Sequence, residues 1–181
     1  MVRAFQAATT RMPKSKLIVK TALIEGSLWS PGPDLISLPE PMRWAQINAL
    51  YRLSSAYVSD HHAEGWGLTL SDAMIFDKPV IATGFSGNLE YMNAANSFLV
   101  DYSEEQIRPE DSSDLFEPTT RWAYPNEADL KSKLALVREH LESDLVLERV
   151  RNATEGIRAF SSAAILPLPR RRLALVALSR S

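Results

Sequence analysis

Apolar residues along the chain follow two rhythms, one of three and four residues and one of short unbroken runs. Val2, Phe5 and Ala8 share one side of a helix predicted over residues 1–11, which Pro13 ends. Residues 17–21 (LIVKT) are short, apolar and β-branched, the pattern of a buried strand. Residues 22–33 hold two glycines and two prolines and read as a loop. A second short strand over 34–38 precedes Pro39 and Pro41. In the helix predicted over 42–53, Trp44, Ile47, Leu50 and Tyr51 fall on one face.

The alternation continues with a strand at 56–59, a helix at 67–76, a strand at 79–83 and a short helix at 88–93. A strand follows at 97–101, then an irregular polar stretch over 102–125, and two helices over 127–141 and 143–160 close the unit. Strand and helix in alternation predict an α/β fold: a Rossmann-like, three-layer domain with a parallel sheet between helices. The domain spans residues 1–160. Residues 161–181, with Arg170, Arg171 and Arg172 in a row, read as a basic, solvated tail.

Composition changes this picture little. A chain of 181 residues, 45% hydrophobic and 23% charged, has the makings of one globular core. Its formal charge of -2 gives no electrostatic basis for binding nucleic acid. The chain has no cysteine, which excludes disulfides and thiolate metal sites. It has no apolar run of transmembrane length and no signal-peptide core near its start, so a cytoplasmic location is expected.

The chemistry concentrates in residues 61–100, HHAEGWGLTLSDAMIFDKPVIATGFSGNLEYMNAANSFLV. Gly65 and Gly67 flank Trp66 in a turn that opens a helix, and glycines there let main-chain amides approach a ligand. The helix offers unpaired N–H groups at its first turn. The loop containing Ser86, Gly87 and Asn88 repeats the arrangement after the next strand. Two such junctions at neighbouring strand ends form a crevice suited to an anion, and a diphosphate is the natural occupant. Asp72 shares a helix side with Leu68, Ile75 and Phe76. A carboxylate among apolar neighbours is costly unless water or a hydroxylated ligand meets it, and a sugar diol can donate to it twice. Glu64 stands beside the same turn. Each of these residues singly has a plainer reading, as helix-start glycine, surface carboxylate or core tryptophan. His61 and His62 are adjacent, point to opposite faces in a strand, and do not share a metal.

Four linked pieces carry a resemblance: Glu64–Met74 (EGWGLTLSDAM), Lys78–Thr83 (KPVIAT), Ser86–Asn88 (SGN) and Asn96–Val100 (NSFLV). Together they resemble the retaining glycosyltransferases of the GT-B architecture, the glycosyl transferases group 1. The resemblance implies that this chain is the C-terminal, nucleotide-sugar-binding half of such an enzyme. On that basis the donor is a nucleoside diphosphate sugar, the acceptor is an unknown hydroxyl compound, and no metal or other cofactor is expected. Glu64 then resembles the catalytic glutamate that meets the donor sugar's hydroxyls, and Asp72 stands where a glutamate binds the ribose. Gly65, Trp66, Gly67 and Leu68, with Ser86, Gly87 and Asn88, are implied to lie along diphosphate and sugar. His61 and Lys20 complete the implied donor set. Asp72 is one methylene shorter than the family's glutamate, and His62 replaces a common arginine. The resemblance further implies a separate N-terminal domain and a first strand ahead of Met1.

Three other readings are weighed beside it. A non-catalytic nucleotide-sugar-binding module keeps the crevice without the chemistry. A dehydrogenase needs G-x-G-x-x-G, and a serine hydrolase needs G-x-S-x-G; neither run occurs.

Overall fold

The computed structural model describes residues 2–8, 14–20, 33–111, 116, 119–161 and 164. Most of the 22–33 loop, Thr21 and nearly all of the 161–181 tail lie outside the described residues. The elements are α1 (Val2–Ala8), β1 (Leu17–Lys20), β2 (Leu35–Leu38), α2 (Trp44–Leu53), β3 (Tyr57–Ser59), α3 (Leu68–Ile75) and β4 (Val80–Thr83). They continue with β5 (Phe98–Val100), β6 (Tyr102–Gln106), β7 (Arg121–Pro125), α4 (Glu127–Glu139) and α5 (Asp144–Arg158). The strands and helices expected through residue 100 are found where they fall on described residues, except that the helix expected at 88–93 is one 3-10 turn, Gly87–Glu90; residues 1 and 9–11 of the first expected helix lie outside the described residues.

The fold is Rossmann-like, with strands β1 to β5 all in parallel pairings. Among the described residues these strands form two sheets, β1–β2 and β3–β4–β5, rather than one. Leu17 pairs with Leu35 in the first, while Tyr57 pairs with Val80 and Ile81 with Phe98 in the second. β4 is the centre of the layering. All four of its residues are buried, as a parallel strand covered on both faces requires. Val80 and Ala82 face a core of Leu70, Met74, Met92 and Ile157, built on α3 and α5. Ile81 faces the other way, onto Phe98, Leu130, Val137 and Val146, beneath α4 and α5.

The stretch 102–125 departs from the expectation of irregular structure. Its ends form an antiparallel pair, β6–β7, in which Tyr102 meets Pro125 and Gln106 meets Arg121. The YSEEQ segment of β6 is almost wholly exposed, so it lacks the apolar alternation by which a half-buried strand is recognised. Its order comes from across the ladder: Arg121 Nε donates to Glu104 at 2.8 Å, and the Arg108 guanidinium lies 3.8 Å from the centre of the Tyr124 ring. The periodicity of α2 also misleads in part. Tyr51 is buried, but Trp44 is 70% exposed.

Candidate functional site

The site begins where β3 and β4 end. The chain leaves β3 through residues 60–66 into α3, and leaves β4 through residues 84–86 into the 3-10 turn. These two exits are locked together through main chain. The Glu64 N–H donates to Ser86 Oγ at 2.7 Å, and the Gly87 N–H donates to the Glu64 carbonyl at 3.0 Å. The approach is so close that a Cβ on Gly87 would stand 1.9 Å from the Gly65 carbonyl oxygen. Ser86 holds φ 72° and ψ −148°, a conformation few residues other than glycine adopt, and its hydroxyl bond to Glu64 helps to offset that strain.

On the other exit, Gly67 caps α3 in the left-handed conformation (φ 77°). A side chain there would be strained and would also crowd Leu70 at 2.7 Å. The Gly67 carbonyl accepts from Leu70 and Ser71, and the Tyr91 hydroxyl donates to the carbonyls of both Trp66 and Gly67. The N–H groups of Leu68 and Thr69 begin the helix and, as first-turn donors, have no intrahelical acceptor. Gly65 lies open: nothing stands within 4 Å of where its Cβ would be.

The expected residues divide by what they touch. Glu64, Gly65, Gly67, Ser86 and Gly87 come together as a single two-loop unit. The Gly87 amide, however, is taken by Glu64 and is not offered to a ligand. Asn88 is fully buried; its amide nitrogen donates to the Thr83 carbonyl at 3.1 Å, and its oxygen lies 3.3 Å from His61 Nε2. His61 also reaches Ser59 Oγ at 3.2 Å, so both side chains brace the loop from within. Trp66 belongs to an aromatic cluster, 4.6 Å from Tyr91 and 5.0 Å from Phe160 between ring centres, with its indole N–H directed to Ser71. Leu68 is 72% exposed at the helix start. Lys20 stands elsewhere, on a cavity between β1 and β3. His62 turns toward the β6–β7 pair, where Nδ1 lies 2.8 Å from the Ala123 carbonyl and the ring stacks on Trp122.

Asp72 lines a pocket of about 310 Å³ with Thr69 of α3 and Met42, Trp44, Ile47 and Tyr51 on the α2 side. No hydrogen bond to its carboxylate occurs among the described residues, and burial raises its pKa above the ordinary aspartate value. Three tyrosines to which the motifs assign no role surround this region. Burial, with the charges of Glu64 and Asp72 adding, raises the pKa of Tyr57 and Tyr91. Tyr51 is raised likewise, by burial and then by Tyr57 and Asp72, and donates to the Thr69 carbonyl at 3.0 Å. Glu64 and Asp72 thus both add to the upward shift of Tyr57 and Tyr91. Tyrosines within apolar runs look like core in sequence, and only their hydroxyl partners reveal the site.

Fold and site together define a Rossmann-like α/β unit in which two joined loops leave the carboxyl ends of parallel strands β3 and β4. Residues 36–109 match the model of the family described as Glycosyl transferases group 1, which bears out the resemblance carried by the motifs. The chain is similar in structure to the pneumococcal O-GlcNAc transferase GtfA, solved in complex with UDP and GlcNAc. The TM-score is 0.65 at 16% identity, covering 97% of this chain and 32% of that one. This likeness shows the GT-B-type fold, and the chain spans about a third of that protein's length. No curated protein sequence matches the chain.

Proposed function

We propose that the chain binds a nucleoside diphosphate sugar and serves as the donor half of a sugar transferase acting with retention. The observation that carries this reading is the Glu64–Gly87 lock, which joins the two strand exits at the start of α3, the helix that carries Asp72. Asp72 takes the ribose diol, and the exposed face of Trp44 beside it offers a platform for the base. The open backbone at Gly65 and the first N–H groups of α3 meet the diphosphate. Negative charge that builds on the departing diphosphate is stabilised there by oriented main-chain donors. Glu64 meets hydroxyls of the sugar. Ser86, Gly87, Asn88 and His61 hold the loop in shape rather than touch the donor.

Transfer without a metal is part of the proposal. Among the described residues no three His, Asp or Glu side chains gather as a metal site. No described helix is long and apolar enough to cross a membrane. The chain's share of its structural neighbour's length favours a companion domain that brings the acceptor, so the isolated chain is expected to bind donor without turning it over.

Calorimetry with UDP, GDP and their sugar conjugates, set beside an assay of donor hydrolysis, tests this. The expected result is binding that survives a chelator and drops about tenfold or more in Asp72→Ala, the scale of a lost charge-assisted hydrogen bond. No binding of any nucleotide, or equal binding by Asp72→Ala, refutes the site.

A further inference from the structure

The main chain of Glu64 is bonded at both its N–H and its carbonyl, yet among the described residues no hydrogen bond reaches its carboxylate. The place of that carboxylate is therefore set by the main chain leading up to it. Two adjacent histidines hold this stretch from opposite sides. His61 reaches toward Ser59 Oγ, the Phe85 carbonyl and Asn88 Oδ1. His62 reaches the other way, to β7, as side chains alternating along an extended segment do.

The contact between His62 and β7 is a clamp of paired hydrogen bonds. The Ala123 N–H donates to the His62 carbonyl at 3.0 Å, and His62 Nδ1 lies 2.8 Å from the Ala123 carbonyl oxygen. A carbonyl oxygen only accepts, so Nδ1 carries the proton and donates. Bonds of opposite sense between the same residues fix ring and main chain together, where one alone would leave a pivot. Stacking adds to them. The imidazole lies along Trp122, 5.0 Å between ring centres and 6° between planes, and 4.7 Å from the centre of Tyr124. Tyr124 is buried and tied into the pair, accepting from the Arg108 N–H at 2.8 Å and donating to Asp111 at 3.1 Å. The β6–β7 pair also meets the β4 exit, where the Tyr102 and Phe85 ring centres are 5.1 Å apart. It thus rests on both strand exits at once.

We propose that His62 is a positioning residue: through its clamp on Ala123, the β6–β7 pair fixes where Glu64 presents its carboxylate, and so sets how strongly the site holds the donor's sugar. The proposal rests on the reading in which Glu64 meets the sugar's hydroxyls and Asp72 the ribose. Hydrogen bonds weaken steeply outside a narrow range of length and angle, so a small main-chain shift two residues away is felt at the sugar. The ribose contact is insulated from that shift, because Asp72 lies on α3, beyond a turn that the Tyr91 hydroxyl holds separately. The clamp therefore governs the sugar's share of the affinity and not the nucleotide's. It also gives a role to a histidine where the resembled family commonly has arginine: one flat ring stacks on Trp122 and donates from Nδ1.

The test is calorimetric affinity for UDP beside UDP-GlcNAc, and for GDP beside GDP-mannose. The ratio of dissociation constants within a pair is the preference for the sugar conjugate. His62→Phe keeps a flat ring against Trp122 but removes the donor, whereas His62→Asn puts an amide N–H close to where Nδ1 stood. In His62→Phe the preference should fall about tenfold, the scale of one lost hydrogen bond to a charged group, while affinity for the bare nucleotide stays within about twofold. His62→Asn should recover most of the preference. Trp122→Leu removes the ring stacked on the imidazole; it should lower the preference too, and it carries the test if His62→Phe does not fold. A merely structural role would weaken both ligands together and leave the ratio unmoved, which overturns the proposal. So does a His62→Asn as poor as His62→Phe, or a sugar that adds nothing to the affinity of the unmodified chain. Nucleotide binding that depends on Asp72, with the preference untouched in His62→Phe, sinks this proposal alone. No binding of any nucleotide sinks the donor reading and this proposal with it.

Discussion

At Gly87 and Gly65 the same residue type serves opposite ends. Gly87 has no room for a Cβ, because the Gly65 carbonyl occupies the space, whereas Gly65 faces open surroundings. Gly87→Ala should cost about 2–4 kcal/mol of stability, and Gly65→Ala should stay within about 0.5 kcal/mol, compared by denaturant melts. If Gly65 lies against the diphosphate, its alanine variant loses nucleotide binding while keeping its fold. Asp72 supplies a pH signature. Its folded-state pKa is raised, by burial, above the unfolded value, so ionising it is harder in the folded chain. Its contribution to stability is present below the ordinary aspartate value and is lost as pH rises through the raised one. Asp72→Asn should flatten that part of the stability curve. Nucleotide binding should run the other way, weakening as pH falls through the same window, because the diol donates to the charged form.

Among the elements, α3 is held at its start by a residue distant in sequence. The Tyr91 hydroxyl donates at 2.7 Å to the Trp66 carbonyl and at 2.9 Å to that of Gly67. Tyr91→Phe leaves two carbonyls without this donor and should cost about 1–3 kcal/mol. Calorimetric unfolding measures that cost, and nucleotide affinity should fall with it because the crevice turn loosens. The positions of α3, β4 and their loops are legible in the motif stretch, since short apolar runs and helix-opening glycines are local signals. The β6–β7 pair is not legible there, because its stability comes from cross-strand contacts such as Arg121–Glu104 and leaves no periodic trace in YSEEQ.

Over the whole molecule, β4 joins the two faces of the core, and Ile81 is the β4 residue packed into the apolar cluster of Phe98, Leu130 and Val146. Ile81→Ala should cost about 2–5 kcal/mol, whereas Ile75→Ala, at an exposed site, should cost far less; paired thermal melts decide it. The sequence by itself determined the alternation of strands and helices, the parallel class of the fold, and the two glycine-bearing loops between residues 64 and 88. Those follow from local pattern and from motif spacing. Tertiary structure alone decided which of those residues stand open and which brace a loop. It turned Asn88, His61 and Trp66 inward, left the Asp72 carboxylate without a hydrogen bond among the described residues, set Tyr51 beside it, and opened a cavity between β1 and β3. Such outcomes depend on hydrogen-bond partners and packing between segments far apart in the chain, and no local pattern encodes a partner's position.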